Sequence, residues 1–176
     1  PLGADFDGAP RVSQLGTATA SVQTPASPAL GVVSPSGAAP LALLCVGIIE
    51  PRKNQVFLAE RLAAVRQKAP QLELHFCGRV NPHFGKPMER RLRELARSVG
   101  GIHLHGAVSD RALDSLYSTC AAAAFPSVAE GCGLPLLESL WRGRPVLASD
   151  LPSLRENATP GGCLLLPAGN AATWDE

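Results

Sequence analysis

From residue 41 onward, short apolar runs alternate with longer stretches in which apolar positions recur every three or four residues. Residues 41–48 (LALLCVGI) are almost wholly apolar, the pattern of a strand buried on both faces. Residues 54–69 follow with Phe57, Leu58, Leu62 and Val65 on one side and Arg61 and Lys68 elsewhere, which predicts a helix. Residues 72–77 form a second apolar run. Met88, Leu92, Leu95, Ala96 and Val99 then make a core-facing helical stripe. Glu89, Arg90, Arg93, Glu94 and Arg97 lie opposite, and Gly100-Gly101 ends the helix. Residues 102–105 predict a third strand, Ser109 caps a helix reaching Tyr117, and 121–125 predict a fourth strand. A helix over 134–142 stops at Gly143, and a fifth strand spans 145–149. One helical turn is expected near 153–157, a last strand over 163–166, and the start of another helix at 174–176. Strands alternating with helices, without hairpin signals, predict an α/β fold: a Rossmann-like doubly wound parallel sheet of about six strands with helices on both faces. Ligands of such sheets bind beyond the carboxyl ends of the strands.

Residues 1–40 break this pattern. Ala, Pro, Gly and Ser dominate, Asp5, Asp7 and Arg11 are the only charges, and Pro25, Pro28, Pro35 and Pro40 forbid a long helix. The expectation is an interdomain linker or arm, leaving 41–176 as the folded domain. The whole chain of 176 residues is 45% hydrophobic, ample for one core. With 16 Lys+Arg against 15 Asp+Glu it lacks the basic excess of a nucleic-acid binder. Its longest apolar run, 41–49, is about half of the ~20 residues a spanning helix needs. Five cysteines at wide spacing, without a Cys-x-x-Cys pair, suit a reduced cytoplasmic compartment. The chain opens on Pro1, without a signal-peptide pattern, and is expected to be a fragment.

Two strand-to-helix turns carry unusual residues. The first runs from Gly47 through Glu50-Pro51-Arg52-Lys53-Asn54 and sets two adjacent cations at the mouth of the sheet. Arg can fork two phosphate oxygens and Lys adds a point charge; a solvated turn with two surface charges fits the same residues. The second, 125–138, is a glycine-containing loop entering a helix at Pro135. The free first-turn amides of Gly133 and Leu134 make an anion site reinforced by the helix dipole, and Gly131 and Gly133 allow close approach to the backbone. Glu130 and Glu138 flank that cradle. Glu130 can hydrogen-bond hydroxyls, so a polyol beside a phosphate is a natural guest; it also suits a dipole-complementing position. Glu138, among Leu136, Leu137 and Leu140, is costly unless paired or on the exposed side of an amphipathic helix.

The remaining candidates receive plainer readings. His103 and His105 alternate along one strand face and His75 lies on a neighbouring strand, so a metal cluster is conceivable. No Cys or carboxylate completes it at a recognisable spacing, and the expectation is no metal. In the loop over 78–87, Arg79, His83 and Lys86 face the cleft, with ordinary loop charge as the bland reading. The arginines of 88–99 could favour an anionic membrane, but intervening Glu89 and Glu94 favour a solvated face.

The run EGCGLPLLE at 130–138 is a Glu-x7-Glu motif. With PRKN at 51–54, HGAVSD at 105–110 and WRGRPVLASD at 141–150, it resembles the donor-binding domain of retaining glycosyltransferases of the GT-B class (glycosyltransferase family 4, glycosyl transferases group 1). PLGADF at 1–6 is similar to the segment where that family's first domain hands over to its second, so the likeness spans 41–169 and the linker. The resemblance implies the C-terminal half of a GT-B fold, with a nucleoside-diphosphate sugar as substrate and no cofactor. Arg52 and Lys53 match the basic pair that holds the diphosphate, and Glu130 matches the carboxylate that binds the transferred sugar. These three are the implied catalytic residues. The donor would also meet Gly47, Gly131, Cys132, the amides of Gly133 and Leu134, and Glu138 at its ribose. Val108, in the loop over 107–109, would lie at its base. Cys132 stands where Phe is more usual, a packing variant.

The expectation is that no Asp-x-Asp metal motif serves this chain, so that Arg52, Lys53 and the helix tip must stabilise the leaving diphosphate and transfer is metal-independent. The implied partners are the missing N-terminal acceptor domain and a glycan or lipid-linked acceptor in bacterial surface polysaccharide synthesis. Mannose is one candidate sugar, and peripheral contact with the inner face of the membrane is one candidate location. A GT-B sugar-nucleotide epimerase and a non-catalytic nucleotide-sugar-binding module are the alternatives.

Overall fold

An apolar segment can hide its backbone polar groups only by pairing on both sides, and the first strand does so. In the computed structural model, which describes residues 40–176, β1 (Leu41–Val46) lies between β2 (Leu72–Cys77) and β4 (Ala122–Phe125). Among the described residues, six strands form one sheet in the order β3-β2-β1-β4-β5-β6. It is completed by β3 (Ile102–Gly106), β5 (Val146–Ser149) and β6 (Cys163–Leu166). All pairings are parallel. The expected arm over 1–40 falls, except for Pro40, outside the described residues.

Among the described residues, six α-helices cover the two faces. Against one face pack α1 (Gln55–Val65), α2 (Lys86–Val99) and α6 (Ala171–Asp175), around Leu58, Leu62, Leu92 and Leu95 over Cys45, Leu74 and Phe76. On the other lie α3 (Asp110–Thr119), α4 (Leu134–Trp141) and α5 (Pro152–Ala158). There Tyr117 seals Leu44 and Cys77, while Leu136 and Leu154 cover Ala123, Phe125, Val146 and Ala148. Alternate residues of β1 and β4 therefore serve different layers, as the period of two requires. Each fully buried leucine contributes on the order of 2 kcal/mol by leaving water.

The elements match the sequence pattern except at their ends. α1 starts at Gln55 rather than at residue 54 because Asn54 sits at φ 54°. Asn tolerates this left-handed conformation better than other side-chain-bearing residues. α1 stops at Val65, short of residue 69, since the residue before Pro70 is biased away from helix. Ser109 caps α3, its hydroxyl accepting from the Ala112 amide at 3.4 Å.

The strand order reverses between β1 and β4. Loops after these two strands diverge to opposite faces and open a crevice at their carboxyl ends. Both unusual turns lie there.

Candidate functional site

The β1–α1 connection is a 3-10 turn (Pro51–Lys53) followed by Asn54, whose amide donates to Pro51 O at 3.1 Å. Proline opens the turn with its φ already set, and the left-handed Asn54 redirects the chain into α1. Arg52 and Lys53 are thereby held side by side at the crevice. Gln55, buried at the start of α1, fastens the turn from below: its Nε2 donates to Ile48 O at 2.9 Å. Asn81 ties in the next loop by donating to Glu50 Oε2 at 2.9 Å. Gly78 packs against the first turn so closely that a Cβ would stand 2.0 Å from Gly47 O.

The β4–α4 loop meets this turn. Val128 N donates to Arg52 O at 2.9 Å, and Lys53 Nζ donates to Glu130 Oε2 at 2.6 Å. Arg52 Nη1 stands 3.6 Å from the same carboxylate oxygen, and its Nε pairs with Glu50. The side chains of Lys53 and Glu130 are only 12% and 10% exposed. Such a pair is sustained by good geometry and is costly to break from one side. Lys53, Glu130, Ser127 and Gly133 line one small pocket over Phe125, Leu136 and Leu154.

Two residues of α5 fix the loop. Ser153 Oγ donates to Glu130 O at 2.8 Å, and Asn157 Nδ2 donates to Cys132 O. Gly133 adopts φ 74°, and a Cβ there would stand 2.4 Å from Leu154 Cδ2. Only glycine combines that conformation with that contact, which sets how the chain enters α4; Gly133 and Leu134 carry the amides at its start.

Beside this pocket lies a cleft of about 560 Å³ lined by Val46, Gly47, Gly78, Arg79, Val108 and Leu113, among others. Gly47 lies between them: a Cβ on it would meet the Lys53 side chain at 3.7 Å. Gly47 and Val108 line the cleft and Lys53, Glu130 and Gly133 the pocket, both at the mouth of the crevice beyond β1 and β4, with Arg52 exposed beside Glu130. Gly131, Cys132 and Leu134 are exposed along its edge. Glu138 is also exposed and takes part in no ion pair among the described residues; the desolvation cost that its leucine neighbours suggested does not arise. Lys86 lies on α2 with Arg90, Arg93 and Arg97, away from this mouth. Gln55, Asn81, Ser153 and Asn157 were not singled out by sequence; the signal for the last two is their spacing of four on one helix face.

The histidine strand face departs from expectation. Parallel pairing sets His75 opposite His103, and Glu73 supplies the carboxylate that spacing did not reveal. Its Oε2 lies 3.4 Å from Nε2 of His75 and 3.4 Å from Nε2 of His103. Burial, opposed by the hydrogen bond to Glu73, holds the His75 imidazole below its usual 6.5, and burial also lowers His105.

The doubly wound parallel sheet, with a basic turn, a glycine-led helix tip and Glu130 at its switch point, has the architecture of one half of a GT-B glycosyltransferase fold. The family profile described as "Glycosyl transferases group 1" matches residues 40–176, and the chain belongs to that family. The O-antigen chain mannosyltransferase B of Escherichia coli is 32% identical over 128 residues; the match covers 70% of this chain and 32% of that protein. The crystal structure of Anabaena HepE in complex with UDP and glucose superposes with a TM-score of 0.66 at 21% identity, covering 77% of this chain and 37% of that one. A sucrose-phosphate synthase of Thermosynechococcus elongatus does so with a TM-score of 0.66 at 26% identity, covering 78% and 34%. The chain thus spans about a third of the length of each.

Proposed function

We propose that this chain is the nucleotide-sugar-binding half of a retaining glycosyltransferase that works without a metal ion at its donor site. The observation that carries the reading is the 2.6 Å contact between Lys53 and Glu130, which unites two turns 77 residues apart at the switch point of the sheet. Paired with each other, the two charges are neutralised. A diphosphate arriving between Lys53, Arg52 and the α4 amides takes over the cations. The Glu130 carboxylate is then free to accept hydroxyls of the sugar. The base fits the cleft past Gly47 and Val108, and Glu138 reaches the ribose. As the nucleoside diphosphate departs, charge grows on its terminal oxygen, where each preorganised donor is worth about 3 kcal/mol.

An Asp-x-Asp triplet does occur at Asp5-Phe6-Asp7, outside the described residues, so metal independence rests on the basic groups at the site. The E. coli relative supports mannose as the sugar and bacterial surface polysaccharide as the product. A separate N-terminal domain would hold a glycan or lipid-linked acceptor at the cytoplasmic side of a membrane, and the chain alone would transfer little. No helix among the described residues is long and apolar enough to cross a membrane.

The test is calorimetric titration with UDP, GDP and ADP, each with and without mannose attached. Saturable binding is expected for one base, tighter with the sugar present. Absence of heat with all of them, unchanged by Arg52→Ala, defeats the reading. In a longer chain that carries the acceptor domain, turnover should persist in excess chelator, and NMR of the product should find the anomeric configuration of the donor.

A further inference from the structure

β3 forms one edge of the sheet, and on the α3 side the buried cluster of the described residues takes in Leu44 and Cys77 from the strands, with Ala42 and Val46 packed against it. Beyond that cluster, alternate residues of two paired strands present Glu73 and His75 from β2 and His103 and His105 from β3. The imidazoles of His75 and His103 have centroids 4.5 Å apart, and those of His75 and His105 5.2 Å. One ligand atom each from Glu73, His75 and His103 lie within 4.8 Å of one another. Two ligands at about 2.0–2.1 Å from a tetrahedral ion are about 3.4 Å apart. Both separations of Glu73 from a histidine already have that length, so only the two imidazole nitrogens need to close. His75 Nδ1 lies 3.0 Å from His105 Nε2. With the proton on Nδ1 donated to His105, the Nε2 lone pair of His75 points at the space shared with Glu73 and His103. Metal-bound imidazoles usually have such an outer partner.

We propose that Glu73, His75 and His103 form a binding site for a divalent late transition-metal ion of the Zn2+ type, with His105 as the positioning residue that orients His75. Two imidazoles and a carboxylate suit such an ion, whereas Mg2+ and Ca2+ take oxygen ligands. Three protein ligands leave a fourth position, which opens to solvent because the His103 side chain is 44% exposed. Glu73 and His103 are each the second residue of their strand, at the end of the sheet remote from the donor turns. The ion therefore acts on structure, pinning the edge strand to its neighbour, and is independent of the donor reading.

The experiment titrates ZnCl2 into untagged, chelator-stripped full chain, by competition with a chromophoric chelator and by thermal unfolding. One equivalent should bind, raising Tm by about 5 °C at a hundredfold excess over Kd. Co2+ should give the absorption of a tetrahedral site. His103→Gln and Glu73→Gln should each weaken uptake at least about tenfold and abolish the Co2+ bands, with unchanged far-UV circular dichroism. His105→Gln should retain the stoichiometry with affinity about tenfold lower, and His83→Gln should change nothing. The absence of saturable uptake, or equal affinity in His103→Gln and Glu73→Gln, overturns the proposal. Nucleotide titrations in chelator keep this outcome separate from that of the donor site.

Discussion

Lys53 and Glu130 are each of little use alone and informative together. Arg52 is exposed, but its Nε pairs with Glu50, whose side chain is only 12% exposed, so Arg52→Ala should lower Tm by a few degrees and lose about tenfold in nucleoside-diphosphate affinity, about 1.4 kcal/mol by calorimetry. Lys53→Ala leaves Glu130 with only the longer 3.6 Å contact to Arg52 and should lower stability by about 2–4 kcal/mol in denaturant titration. Lys53→Met combined with Glu130→Leu should recover much of that stability and none of the affinity. An affinity matching the parent in the double variant would show that the pair is structural. Cysteines give a second probe at the same scale. Cys45, Cys77 and Cys120 are buried, whereas Cys132 is exposed in the donor loop. Iodoacetamide should label Cys132 first, and the bound donor should slow that labelling; a rate indifferent to every nucleotide would count against the assigned mouth.

Turns, rather than helices or strands, hold the site, and their geometry is delegated to neighbouring elements. Gly133→Ala forces a side chain into φ 74° and against Leu154. A destabilisation of about 1–3 kcal/mol is expected, with weaker nucleotide binding because the amides of α4 swing away. Ser153→Ala and Asn157→Ala release the loop from α5 and should cost a few-fold in affinity with the far-UV spectrum unchanged. The strands and helices themselves were legible because the central strands are apolar on both faces and each helix carries one apolar stripe. PRKN and EGCGLPLLE were legible as motifs through their resemblance to the glycosyltransferase family; taken alone, adjacent cations also fit a solvated turn. The supports were not: Gln55, Asn81, Ser153 and Asn157 matter through hydrogen bonds to residues distant in sequence, which no local pattern encodes. Glu73 escaped for the same reason, as it meets His103 only across a strand pair.

At the scale of the molecule, the buried thiols couple stability to alkaline pH. Burial pushes the Cys45 thiol up to about 12 from an ordinary 9.0, and Cys77, Cys120 and Cys163 are raised in the same direction. The folded state therefore holds these protons more tightly than the unfolded chain. Stability should be full below about pH 9 and decline as pH rises toward 12. Denaturant titrations across that range should find a shallower decline in Cys45→Ala. An identical slope in parent and variant would assign the alkaline loss to other groups.

The sequence by itself determined the alternation of strands and helices, the parallel sheet and the two turns at its mouth, because hydrophobic period, caps and glycine or proline positions act over a few residues. Tertiary structure alone decided which charges meet. Strand order brings Lys53 to Glu130 across 77 residues, and register sets His75 beside His103 and in reach of Glu73. Those encounters follow from packing the whole sheet, where the position of each side chain depends on every strand between them.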